Sequence, residues 1–146
     1  MAANRETVRD AMATLLGTAL VGTGLPVQQV FNYRTGDFAG KSPVVSVWSH
    51  GSDRRRMTAR GSRARFHLQV DIFVVYAMQD GTWTEAQADD VLDAVELLIA
   101  GVVDANQVTA YWNALDYVME STRYDVAIGG VEYIQEAILL AVEVYG

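Results

Sequence analysis

Cysteine is absent from this chain of 146 residues. Its absence removes disulfides, thiolate metal sites and cysteine nucleophiles together, and it fits a reducing compartment. Long apolar runs are missing too: none approaches the ~20 residues that a membrane-spanning helix needs. The opening MAANRETVRD is charged where a secretory leader would be apolar. The chain is therefore expected to be soluble, with no membrane partner. Histidine occurs only twice, as His50 and His67. Basic residues all but vanish after position 65: Arg123 stands alone against fourteen Asp and Glu, a net of −13.

What is present is a globular composition, 51% hydrophobic and 20% charged, of a length that forms one domain over residues 1–146 with one real core. The first 65 residues carry ten basic and four acidic side chains, a net of +6, so the overall −7 hides a strong segregation. Six of the eleven basic residues fall within RRRMTARGSRAR: Arg54, Arg55, Arg56, Arg60, Arg63 and Arg65. A positive patch on a negative body suits self-attraction head to tail, or two different partners on two sides.

Periodicity organises the rest. Val8, Met12, Leu15, Leu16, Ala19 and Leu20 recur at helical intervals, with Asn4 placed as N-cap and Glu6 in the first turn. Gly22, Gly24 and Pro26 then stop the helix. VQQVFNYR reads as a short strand, TGDFAGKS as a loop, and PVVSVWS, residues 43–49, as a second strand with its proline at the tolerated first position. From Phe66 to Met78 the period is two. Phe66, Leu68, Val70, Ile72, Val74, Tyr76 and Met78 share one face; His67, Gln69, Asp71, Phe73, Val75 and Ala77 share the other. The basic stretch between these strands is predicted as a long protruding loop at about residues 50–65. TEAQ, residues 84–87, fits a capping box that opens a helix running to about Gly101. Its apolar stripe is Val91, Leu92, Val95, Leu98, Ile99 and Val102. The remainder reads as a closing hairpin turned at Gly129–Gly130, with Ile134, Ile138, Leu140, Val142 and Val144 on one face of the last strand. The expected fold is α+β, a two-layer sandwich in which two α-helices cover one face of a mostly antiparallel β-sheet.

The search for chemistry returns little. Ser49, His50, Ser52 and Asp53 suggest a triad, but they lie in one loop, whereas triad members converge from separate elements. A metal at His67 would have only Gln69 and Asp71 on its face. Asp89, Asp90, Asp93 and Glu96 read as a solvated helix face. The glycines of GTGLP lack the spacing of a phosphate loop. Catalytic, metal and cofactor sites are all expected to be absent, and the chain is expected not to be an enzyme.

Arginine forks pair bidentately with phosphate or with carboxylate, and the second half of the chain supplies carboxylates in excess. A nucleic-acid binder usually adds a basic pI or stacking aromatics. Here the pI is near 4.6 and no aromatic lies between Trp48 and Phe66. Protein assembly is the reading favoured for Arg54 to Arg65. Trp48 is expected in the core. Trp83, in a turn, and Trp112, after a helix end beside Tyr111, are less easily buried and are assigned to an interface. Phe73 and Val75 imply that something covers the outer face of the long strand. The competing readings are a small nucleic-acid-binding module using the same loop, and an enzyme or ligand-binding sandwich with a pocket between helices and sheet.

The layout resembles the tail terminator, or tail completion, proteins of long-tailed bacteriophages. The similarity spans nearly the whole chain: an N-terminal helix, the strand PVVSVW, a variable loop, the long strand FHLQVDIFVVY, the capped helix TEAQADDVLDAVELLI and the final strand GVEYIQEAILLAVEVY. It implies a structural virion protein at the head–tail junction, assembled in the host cytoplasm. Such a protein forms a homo-oligomeric ring, commonly of six copies, that caps the tail tube and joins the head connector or neck protein. Genomic DNA would pass through the lumen without specific binding, past acidic walls. The long loop would make contacts within the ring or with the tube, and no cofactor is implied. Other ring-forming neck proteins share similar sandwiches.

Overall fold

Asn4 opens the first helix as expected. Its backbone is extended, and its side-chain oxygen accepts the N–H groups of Glu6 and Thr7 at 2.9 and 3.2 Å, which satisfies two donors that a helix start leaves free. That helix, α1 (Arg5–Leu20), buries Val8, Met12, Leu16 and Leu20. The computed structural model describes residues 4–34, 36–39, 41–56, 62–75, 85–118 and 121–145. Six strands follow: β1 (Gln29–Phe31), β2 (Val44–Arg56), β3 (Ser62–Val75), β4 (Ala114–Tyr117), β5 (Thr122–Ile128) and β6 (Val131–Tyr145), with α2 (Glu85–Ala105) between β3 and β4. They form one sheet in the order β1-β2-β3-β6-β4, with β5 also on β6. β1 pairs parallel to β2, and the other pairings are antiparallel.

The α+β two-layer arrangement is present. The period-two face of β3 lies in register with β6, Leu68 on Leu140 and Val70 on Ile138. Both rows are buried under α1 and the stripe Leu92, Val95, Ile99 and Val102 of α2. α2 runs a turn past Gly101 because Val102 and Val103 are themselves buried and hold the chain helical across the glycine.

The end of the chain differs from the expected two-strand hairpin. β4 pairs with residues 140–143 of β6 and β5 with residues 131–137, so two short strands share one edge of β6. The β5–β6 turn sits at Gly129–Gly130 as expected, with φ of 60° and 79°, the left-handed pair that a two-residue hairpin requires.

The opposite face is half covered. Phe31, Phe38, Val44, Phe73 and Tyr133 form a second, smaller core. Phe38 is set 4.7 Å from the Phe73 ring and 5.3 Å, edge-on, from Tyr133. The cover that Phe73 and Val75 implied is thus supplied by this chain's own segment after β1.

Candidate assembly surface

The arginine stretch is strand for most of its described length. β2 continues to Arg56 and β3 begins at Ser62, pairing Asp53 with Arg65, Arg54 with Ala64, Arg55 with Arg63 and Arg56 with Ser62. The predicted loop of residues 50–65 is therefore corrected to an antiparallel arm, with residues 50–56 in β2 and 62–65 in β3; residues 57–61 lie outside the described residues. Arginine tolerates a strand well enough for ladder bonds to run through the charged residues. A register shift at Ser49–Gly51 marks where the arm begins. Arg60 and Trp83 lie outside the described residues.

Alternation aims Arg63, Arg65 and His67 at the face away from the helices, continuing toward Gln69 and Asp71. Arg63 pairs with Glu143 of β6 at 3.2 Å, each side chain about one-fifth exposed, 22%. Beyond that pair, Arg63 Nε, Arg65 Nε and His67 Nε2 are buried atoms with no hydrogen-bond partner among the described residues. Further along the face, Asp71 is only 4% exposed and accepts Trp48 Nε1 and Gln69 Nε2, each at 2.7 Å. Trp48 is accordingly half-buried on this outer face and not in the main core, and the Arg34 guanidinium lies 4.4 Å over its ring.

Trp112 corrects another expectation. It is 1% exposed, packed in the main core, and its Nε1 donates to the Asn106 carbonyl at 2.7 Å. It anchors the turn between α2 and β4 and offers no surface to a partner. Of the triad-like residues, the side chain of Asp53 lies outside what is described, and Ser52 and His50 have separate neighbours. Ser52 accepts from Arg5 of α1 at 2.8 Å, while the His50 ring is 5.6 Å from that of Trp48.

The acidic counterpart is carried by α2 and the β4–β5 edge. Asp90, Asp93 and Asp104 are exposed. Arg123, the only basic residue past position 65, is engaged by Asp89 at 2.7 Å. Glu96 faces Glu136 of β6, and its carboxyl is held above the usual range by burial first, then by Glu136 and Asp93. Ser121 Oγ donates to Glu136 Oε1 at 2.8 Å. This carboxyl pair was not read from the sequence, although Glu136 interrupts the apolar row between Ile134 and Ile138. Burial raises the Tyr117 hydroxyl as well, with Asp104, Glu96 and Asp116 adding to it. Among the described residues, no three His, Asp or Glu side chains converge as metal ligands would.

A groove of about 420 Å³ lies between α1 and the turn after α2, lined by Thr7, Asp10, Thr14, Asn106, Thr109 and Tyr111 among others, and by no residue of the arm.

No family model and no curated protein matches the sequence. Among solved structures, a chain of the virion of a native gene transfer agent (GTA) particle is similar over 90% of this chain and 84% of that one, at 17% identity and a TM-score of 0.47.

Proposed function

We propose that this chain is a structural virion subunit that assembles head to tail into a ring of tail-terminator type, capping a tail tube and joining it to a head connector. The observation that carries the reading is the mismatch within one domain. Among the described residues, Arg63 Nε and Arg65 Nε of the arm have no acceptor, while the one arginine beside a carboxylate of α2 is Arg123, at Asp89. Each surface lacks what the other supplies, and a contact between two different surfaces propagates until rotation closes it. The order of elements, and an arm between the two long strands, support the terminator type. In this reading the chain performs no catalysis and holds no cofactor, and its acidic body suits a lumen through which DNA slides.

Cells that make the particle but lack this chain should accumulate tails that fail to join heads. Wild-type protein should restore joining, whereas a variant with Arg63→Glu and Arg65→Glu should fold with near-normal melting and restore nothing. Electron micrographs of the particles check this, and complete particles from the variant would contradict the role given to the arm. The same donors fit phosphate. Retention of random-sequence DNA, falling steeply with salt, would favour the nucleic-acid module instead.

A further inference from the structure

α2 has a second face besides the one it buries. Leu97 points half a helical turn from the Leu92, Val95 and Ile99 stripe and is 74% exposed. Ala94 and Gly101 flank it at helical spacing, both exposed, and a side-chain carbon added at Gly101 would meet nothing within 4 Å. Asp90, Asp93 and Asp104 surround this apolar centre, and all three are exposed. An apolar centre rimmed by charge is the anatomy of a protein contact. The charge says which protein: the complement of three carboxylates is a cationic surface, and Arg63 and Arg65 occupy alternate positions on one face of β3.

We infer that the outer face of the arginine arm of one copy docks on the outward face of α2 of the next, with Leu97 at the centre of the contact and Asp90, Asp93 and Asp104 receiving Arg63 and Arg65. The inference rests on the ring reading and names the two surfaces that meet. Arg63 and Arg65 are only partly buried, and the accessible parts of their guanidinium groups gain carboxylates in this contact. Burial beside Leu97 strengthens those pairs relative to exposed ones. Because arm and helix face differ, the contact is head to tail, and every copy offers both halves.

The test is self-association of the full chain by sedimentation at low salt, with melting curves as a check on folding. Arg63→Glu with Arg65→Glu should weaken association at least about tenfold, and so should Asp90→Arg with Asp93→Arg, while all four together should recover most of the loss, as coupled charges do. A second measurement does not depend on the fourfold variant folding. Because the chain has no cysteine, a protein carrying Arg65→Cys mixed with one carrying Leu97→Cys should form a mixed disulfide in preference to either homodimer. A wild-type chain that stays monomeric at millimolar concentration overturns the inference. So does an α2 reversal that associates normally, a fourfold variant that folds without rescue, or disulfides that form only between like proteins. If the α2 reversal alone is silent and still completes tails while the arm reversal does not, the ring reading survives and only this docking surface falls.

Discussion

On the helix side of the sheet, Leu68, Val70 and Ile72 of β3 meet α1 and α2 in a continuous buried layer. On the other side the same strand carries Arg63, Arg65, His67, Gln69 and Asp71, and neither helix lies over them. Only its far end, at Phe73, is roofed, by Phe38 and Tyr133. The helix side is held by area removed from water, which needs no directional partner. The open side is held by directional pairs such as Trp48 and Gln69 on Asp71, and it leaves Arg63 Nε, Arg65 Nε and His67 Nε2 without partners among the described residues. A monomer completes its apolar side alone because every row has an element above it. Its charged side it leaves open to something else.

The comparison is broken or sharpened by substituting along one strand and its cover. Leu68→Ala on the helix side should cost about 2–5 kcal/mol. Phe38→Ala, which unroofs the outer aromatic cluster, should cost about 3 kcal/mol, the bottom of the aromatic range because a loop closes over a void more readily than a sandwich does. Chemical denaturation measures both, and a Phe38 loss equal to that at Leu68 would make the two faces energetically alike.

Arg63→Ala should change stability by less than about 1 kcal/mol, since its pair with Glu143 is partly exposed, while leaving self-association clearly weakened. A large stability loss would make the arm part of the fold and not a docking device.

The smallest effect belongs to Glu96, where charge intrudes at the edge of the helix side. Its raised carboxyl means that the fold prefers the protonated form. The stability this lends is complete below the ordinary value of 4.5 and is lost as pH rises through the raised value. Melting temperatures of the wild type and Glu96→Gln should therefore diverge as pH climbs above 4.5, the variant becoming relatively more stable. Parallel curves would remove Glu136 and burial as constraints on Glu96.

Much of the architecture could be read in advance because it depends on period. A repeat of two over Phe66 to Val74 says strand whatever lies above it, and a repeat near 3.6 over Val8 to Leu20 says helix. Gly129–Gly130 announced a two-residue turn because few other residues accept that backbone. The arm was legible as charge but not as structure. Strand residues with polar side chains on both faces carry no hydrophobic alternation, so Arg54 to Arg56 read as loop until β3 was seen alongside them.

Trp112 shows the same limit from the other direction, because its position after a helix suggested exposure. Whether a residue after a helix is buried depends on where the chain turns. Here the turn returns it under the sheet, with Asn106 accepting its N–H. By itself the sequence determined the two helices, the long strands, the closing turn and the segregation of charge, since each is a property of neighbours along the chain. Only the tertiary structure decided that Phe38 roofs Phe73, that Glu96 meets Glu136, and that Arg63 Nε and Arg65 Nε of β3 lack acceptors among the described residues. Those facts depend on which distant segment arrives opposite, and a local pattern says which way a side chain points without saying what it will meet.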